Sequence, residues 1–547
     1  MIRFSKSSIL LLFLSIGMIP VYSQSRGVTT IDSLDVKYLN WYNRSPVVDK
    51  VQGAATDQAY REFLRDKSPC KKVVVAVIDG GVDIYHPELE GKIWTNKKEI
   101  AGNGLDDDNN GYVDDIHGWN FIGNSKGEHL LYENMEFVRI FKKLNPRFSG
   151  VKDENGLSAE EKRLYAVYLR SKTKYEEELR KHTQRKKDLD NFEEYVNHFE
   201  EVLRKHLRKQ EITVEDVKSV KTKSEMVSAA KEALLDLYNK GFTRKDLADM
   251  QKRSNDFLNY YLNLDFNPRA QVEDDPEDPG DIHYGNNDVK GPRSFHGTFV
   301  AGVIAAARGN GAGTDGVADH VEIMTLRVVP DGDERDKDVA LAIRYAVDNG
   351  ADIINMSFGK YFSITRGILD DAVRYAGDHN VLMIHSAGNE ADNLDLTEHY
   401  PSAILADGSR VPNWITVGAT SNILNKEFCG IFSNYGAENV DLFAPGVNII
   451  SLAPENKYEM GDGTSFSGPV VSGVAALVWS YYPELTALQL KDILLESSTK
   501  YPKAKVYSPD IKSPKRKKVK FATLSRTGGI VNAYNALLAA GKALPVN

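Results

Sequence analysis

In KKVVVAVIDGGVD (71–83) no polar residue interrupts the chain from Val73 to Ile78, and the run stops at Asp79, Gly80 and Gly81. A strand with one solvated face alternates apolar and polar residues. An unbroken β-branched run closed by glycine suits a strand buried on both faces, as in a parallel sheet between two layers of helices. The pattern recurs in VEIMTLRVV (321–329), ADIINMSFG (351–359), NVLMIHSAG (380–388) and WITVGAT (414–420). Helical segments such as DVALAIRYAVDNG and GILDDAVRYAGDHN lie between these runs. The alternation predicts an α/β fold with a doubly wound, mainly parallel sheet. Ligands of such sheets gather beyond the carboxyl ends of the strands, where Asp79 would lie.

Residues 128–268 break this rhythm, being strongly charged and helical with almost no strand signal. Ser158 and Glu161 have capping-box spacing, and apolar residues then recur at heptad steps through Tyr168, Tyr175, Leu189, Val196 and Leu203. Leu179, Phe192 and Phe199 widen that stripe, His182 interrupts it, and Thr213 and Thr243 cap shorter helices downstream. The stripe is either a packing seam within the segment or a coiled-coil surface for a partner. The chain therefore divides into 24–68, a lead-in packed on the core with a short helix in ATDQAYREFLRD, then 69–127 and 269–547 as two parts of one α/β domain. Residues 128–268 form an inserted all-helical subdomain.

Ahead of the lead-in, residues 1–23 carry Arg3 and Lys6, a short apolar run from Ile9, then Val21 and Ser23 spaced like a cleavage site. These are the parts of a secretory signal peptide. No apolar run is long enough for a membrane anchor once it is removed. The expected location is outside the cytoplasm, periplasmic or secreted. A net charge of −8 argues against nucleic acid as the main partner. The basic run KSPKRKKVKF (512–521) reads as a solvated loop or hairpin tip. Cys70 and Cys429 are too few for a disulfide scaffold. They are either one bridge or two buried thiols.

GDGTSFSGPVVSGVAALVW (461–479) places Thr464, Ser465 and Ser467 at the start of a small-residue helix. Hydroxyls there serve as ordinary caps, but a helix N-terminus also favours developing negative charge. His296 lies at the entry to a second such helix in RSFHGTFVAGVIAA, and Asn389 closes the run IHSAGNE. With Asp79, these positions supply a hydroxyl, a base, an orienter for the base and an amide donor, the parts that acyl transfer requires.

The segments VVVAVIDGGVDIYHPEL, FHGTFVAGVIAA and GDGTSFSGPVVSGVAAL resemble the Asp, His and Ser motifs of subtilisin-like serine peptidases, in that family's order. NMSFG, SAGNE, FSNYG, LFAPGVNIIS and GGIVNAYNALL resemble its later core, so the likeness covers 69–125 and 270–540. It implies a subtilisin-like fold and an endopeptidase acting on peptides or proteins without a catalytic cofactor. Ser465 would be the nucleophile, His296 the base, Asp79 its orienter and Asn389 an oxyanion donor. Ser357, Phe358, Gly359, Ala387 and Gly388 would line the substrate, with Thr464 and Ser467 as framework. The chain departs from the family at Gly80, where Ser or Thr is usual, at Phe299 in place of His, and at Phe466 in place of Met.

NGLDDDNNGYVDD (103–115) alternates oxygen-bearing side chains, Asp106, Asp108, Asn110 and Asp114, around Gly111. Hard oxygens converging at a glycine turn suit Ca²⁺, although the bidentate Glu of an EF-hand is missing. The loop is a structural calcium site or a solvated Asp/Asn turn. The insertion, re-entering ahead of His296, would rise near the substrate cleft as a lid, a docking arm or a stabilising appendage. A catalytically weak scaffold that binds peptides or a partner through the insertion, and an esterase or transferase using the same residues, are the competing functions.

Overall fold

The computed structural model describes residue 31 and residues 34–543, so the signal-peptide reading lies outside the described residues. The chain separates into two compact units: 134–266, and the remainder on either side of it.

The larger unit is built on a nine-stranded sheet. The long apolar runs supply β1 (Val73–Asp79), β3 (Val321–Arg327), β4 (Ile353–Met356), β5 (Leu382–Ser386) and β6 (Trp414–Thr420). β2 (Gly118–Asn120), β7 (Leu442–Pro445), β10 (Thr499–Lys500) and β13 (Gly529–Ile530) complete it in the order β10-β13-β7-β6-β5-β4-β1-β3-β2, while β8 (Ile449–Ala453) and β9 (Lys457–Gly461) pair apart from it, as do β11 (Lys505–Tyr507) and β12 (Lys518–Lys520). Every pairing is parallel except β10 with β13. Helices α1 (Phe295–Ala305) and α4 (Thr464–Tyr481) share one core with the sheet, while α2 (Asp336–Asp348) and α3 (Arg366–Asp378) belong to the core of the other face. With both faces covered, the strands have no solvated side to alternate toward. This is the doubly wound fold expected. Its strand order reverses at β1, which lies between β3 and β4, and the crevice at the carboxyl ends there is where Asp79 sits.

The lead-in lies on this core. Trp41 and Tyr42 are fully buried, with Trp41 Nε1 donating to the Asn448 carbonyl at 2.9 Å and the Tyr42 hydroxyl to that of Asp315 at 2.6 Å. Its expected single helix is instead one α-helical turn, Thr56–Gln58, running into a π-helical turn, Ala59–Phe63. Where the chain leaves and re-enters this unit, buried Arg269 binds Glu133 at 3.2 Å and Asp274 at 3.0 Å, and also pairs with Asp338. A buried guanidinium requires such partners. Cys70 is exposed, Cys429 is buried, and both are free thiols.

The smaller unit is helical. Its longest helix, Ala159–Leu207, starts at the Ser158–Glu161 capping box. Leu189, Phe192, Val196 and Leu203 from that helix pack with Val227, Ala230, Leu234 and Leu237 of Glu225–Asn239 and with Leu247 of Arg244–Asp256. The heptad stripe is thus covered within the unit. His182, which interrupts it in sequence, stacks on Phe257 with ring centroids 3.8 Å apart. Among the described residues no helix is long and apolar enough to cross a membrane.

Candidate active site

Asp79 ends β1 and is 2% exposed. Its carboxylate faces His296 Nδ1, at 3.0 Å from Oδ1 and 2.9 Å from Oδ2. The contact depends on the glycine that follows His296. A Cβ on Gly297 would lie 2.2 Å from the Gly81 carbonyl oxygen and 3.2 Å from Asp79 Cβ, so only glycine lets α1 approach β1 this closely. Gly80 has no hydroxyl to anchor the carboxylate, but its N–H donates to Asp79 Oδ1 at 2.7 Å. Thr298 ties the helix start to the loop after β1, its hydroxyl accepting from the Asp83 N–H at 2.7 Å and donating to the Ser294 carbonyl at 2.6 Å.

Ser465 occupies the first turn of α4 and is half-buried. Its hydroxyl donates to the Ser357 carbonyl at 3.0 Å, and the Ser357 hydroxyl donates back to the Ser465 carbonyl at 2.9 Å. The nucleophile candidate therefore points at the end of β4 rather than at His296 Nε2. The His296 and Phe466 rings have centroids 5.8 Å apart, which places the imidazole beside this helix start. Phe466 and Phe299 are both buried with their centroids 4.0 Å apart. The two departures on α1 and α4 are one aromatic contact.

Asn389 follows β5. Its Oδ1 accepts from the Thr464 N–H at 2.9 Å and from the Thr464 hydroxyl at 3.1 Å. A backbone N–H can only donate, so the amide orientation is fixed and Nδ2 is the outward group. Among the described residues Nδ2 has no hydrogen-bond partner, and it lies 3.9 Å from the Cβ position of Gly463, two residues before Ser465. Thr464 also accepts from the Gly388 N–H at 3.0 Å. Ser467 is fully buried, bonded to the Ala444 carbonyl at 3.1 Å. It has no route to a substrate.

The five residues expected to line the substrate differ in what they offer. The Phe358 carbonyl accepts from His385 Nε2 at 2.9 Å and the Ser357 carbonyl from the Ser465 hydroxyl at 3.0 Å. Ala387 is fully buried with its N–H and C=O bonded to Val417 and Asn434, which makes it support rather than contact. Gly388 has φ +104°, a left-handed conformation that favours glycine. Sequence reasoning missed His385 and His399. A Cβ on Gly359 would come within 2.2 Å of the His399 ring, so that imidazole abuts the same segment. No spacing rule links either histidine to the family motifs.

The acidic loop also differs from expectation. Glu99, Asp106 and Asp108 bring carboxylate oxygens within 4.8 Å of one another. Asp114 is not among them. Its two oxygens accept from the Gly102 and Gly104 N–H groups at 2.7 and 2.8 Å. Asn110 is tied inward, accepting from the Tyr112 N–H at 2.8 Å and donating to Asp115 at 2.9 Å. Glu99 lay outside the alternating pattern and was missed for that reason. The three convergent carboxylates match the hard donor set that Ca²⁺ prefers.

Compared with known proteins, residues 70–519 match the model of the subtilase family, peptidase S8. A thermophilic serine proteinase of Bacillus sp. strain AK1 is 37% identical over 186 residues, covering 34% of this chain and 42% of that protein. Subtilisin DY of Bacillus licheniformis is 35% identical over 206 residues, 37% of this chain and 70% of its own length. The major intracellular serine protease of Bacillus subtilis strain 168 is 38% identical over 204 residues, 37% of this chain and 60% of its own length. The chain thus spans between 42% and 70% of these relatives.

Proposed function

Because the chain belongs to the subtilase family, we propose that it is an exported serine endopeptidase that hydrolyses peptide bonds through Asp79, His296 and Ser465. The observation that carries this is the buried Asp79 carboxylate held on His296 Nδ1 beside a helix start that presents Ser465. An extended peptide adds to the segment Ser357–Gly359 by main-chain hydrogen bonds. Ser465 Oγ leaves the Ser357 carbonyl, gives its proton to His296 Nε2 and attacks the scissile carbonyl carbon. Asp79 holds the imidazole in the tautomer that leaves Nε2 free to accept. Asn389 Nδ2 and the Ser465 N–H at the α4 terminus stabilise the oxyanion. His296 then protonates the leaving amine, and water repeats the cycle on the acyl-enzyme.

A fluorophosphonate probe tests the reading. It should label the wild-type chain and leave Ser465→Ala unlabelled. Equal labelling of the two would refute the assignment of Ser465.

Desolvation of the His296 ring lowers its pKa, but the Asp79 charge and hydrogen bond outweigh this and leave it raised. A protonated imidazole cannot accept the serine proton. Activity should therefore fall on acidification with a midpoint above ~6.5, the ordinary histidine value. In Asp79→Asn the raising charge is gone and desolvation remains, so the midpoint of the residual activity should move down. A limb that stays in place would assign it to another group.

The reading includes structural calcium. Glu99, Asp106 and Asp108 would hold the ion, which contributes by binding the folded state and takes no part in the chemistry. Chelation should lower the melting temperature by about 5 °C, with recovery on adding Ca²⁺. Asp106→Asn/Asp108→Asn should abolish that response, and a chelation effect unchanged in this variant would place the ion elsewhere.

A further inference from the structure

The basic run near the C-terminus forms a surface for which the proposed chemistry has no use. Nine residues between 500 and 520 are Lys or Arg and one, Asp510, is acidic, a local balance of +8 in a chain of −8. β11 (Lys505–Tyr507) and β12 (Lys518–Lys520) pair antiparallel as a separate two-stranded sheet. Lys505 stands opposite Lys520, Val506 opposite Val519 and Tyr507 opposite Lys518. Side chains alternate along a strand. Val506 and Val519 therefore turn inward, against a cluster that includes Phe521 and Phe428, and Lys505, Tyr507, Lys518 and Lys520 share the outer face.

Those three lysines are exposed. Among the described residues the hairpin's ion pair is Arg516 with Glu427, and the Arg516 guanidinium lies 4.9 Å from the Tyr507 ring centroid. Lysine on a short edge strand discourages edge-to-edge pairing. Two lysines directly opposed go further, because like charges across a ladder destabilise it. An anionic partner would relieve that repulsion.

A second feature borders the face and selects the kind of anion. The Tyr507 N–H donates to the Lys426 carbonyl at 2.7 Å and the Asp510 N–H to the Ile431 carbonyl at 3.0 Å. These bonds hold the 423–431 loop beside the hairpin. The loop leaves Ile423 58% exposed, Leu424 43% and Ile431 44%. Single exposed aliphatic residues are ordinary. Three on one loop that is bonded to a lysine-bearing hairpin supply the components of an amphipathic patch, with side chains that can enter the acyl boundary and cations that suit headgroups. A soluble polyanion would engage the lysines and have no use for Ile423 and Leu424.

We propose that the β11–β12 hairpin and the 423–431 loop dock the protein on an anionic lipid surface. Lys505, Lys518 and Lys520 meet headgroup phosphates, and Ile423 and Leu424 insert among the chains. The proposal depends on neither the triad nor export.

Sedimentation of the full chain with vesicles tests it, using phosphatidylcholine alone or phosphatidylcholine containing phosphatidylglycerol. Binding should require phosphatidylglycerol and weaken as salt is raised. K505Q/K518Q/K520Q should lower partitioning by ~100-fold. I423S/L424S should lower it by at least ~10-fold at unchanged lipid selectivity. All forms carry the same residues 1–23, so the differences belong to the patch. Equal binding by the lysine variant would overturn the proposal. So would vesicle binding indifferent to I423S/L424S combined with lysine-dependent retention on immobilised heparin, the signature of a soluble polyanion. If the lysine variant melts early, I423S/L424S and the salt response of the wild-type chain decide the matter.

Discussion

Ser465→Ala should lower kcat on a peptide substrate by about 10⁶-fold, the loss established for the nucleophile of subtilisin, with KM nearly unchanged. The stability cost should be small. The Ser465 hydroxyl is half-buried and makes one hydrogen bond as donor, to the Ser357 carbonyl, which is ordinarily worth about 1 kcal/mol. A variant that melts near the wild-type temperature and has lost its activity would therefore have lost chemistry rather than fold. No neighbouring hydroxyl can substitute, because Ser467 is fully buried on the Ala444 carbonyl and Thr464 is committed to Asn389. A residual rate of ~10³–10⁴ over water should remain, from substrate positioning and the oxyanion donors. Steady-state kinetics with a chromogenic peptide, beside a melting curve, measures both quantities. A Ser465→Ala enzyme within tenfold of wild type would place the nucleophile elsewhere.

Asn389→Ala should reduce kcat by about 10²–10³-fold and leave KM close to wild type, because Nδ2 would bind charge that exists only in the transition state. The alanine variant also removes the acceptor of the Thr464 N–H. A stability loss of about 1–3 kcal/mol should accompany it. Asn389→Asp separates the two effects. It keeps an acceptor for Thr464 and replaces the outward donor with a second carboxylate oxygen, which repels an oxyanion. The aspartate variant should thus fold better than the alanine variant and be at least as slow. If Asn389→Asp retained the wild-type rate, no donor at this position would be acting in the reaction.

Some of the site was legible in the linear chain, for physical reasons that particular residues show. Asp79 could be placed at a strand end because an apolar run closed by glycine has only one plausible fate. Ser465 and His296 could be placed at helix starts because small residues follow each of them. Glu99 could not be found, since it joins Asp106 and Asp108 through a fold of the chain rather than a repeat within it. Phe299 and Phe466 read as two unrelated departures, and their meaning as one tilted aromatic contact required both helices in place. Asp114 stands outside that trio because of how the loop folds, since its residue type is the same as that of Asp106 and Asp108.

The sequence by itself determined the layered α/β architecture, the position of the helical insertion and the residue types available for catalysis. Burial patterns, caps and strand ends are properties of contiguous segments. Only the tertiary structure decided how those residues meet: that Asp79 reaches His296 across 217 positions, that Ser465 Oγ points to Ser357, and that Thr464 turns the Asn389 amide outward. Each is a contact of 2.9–3.0 Å between separately folded elements. Such distances are set by close packing across the whole core, which no local pattern encodes.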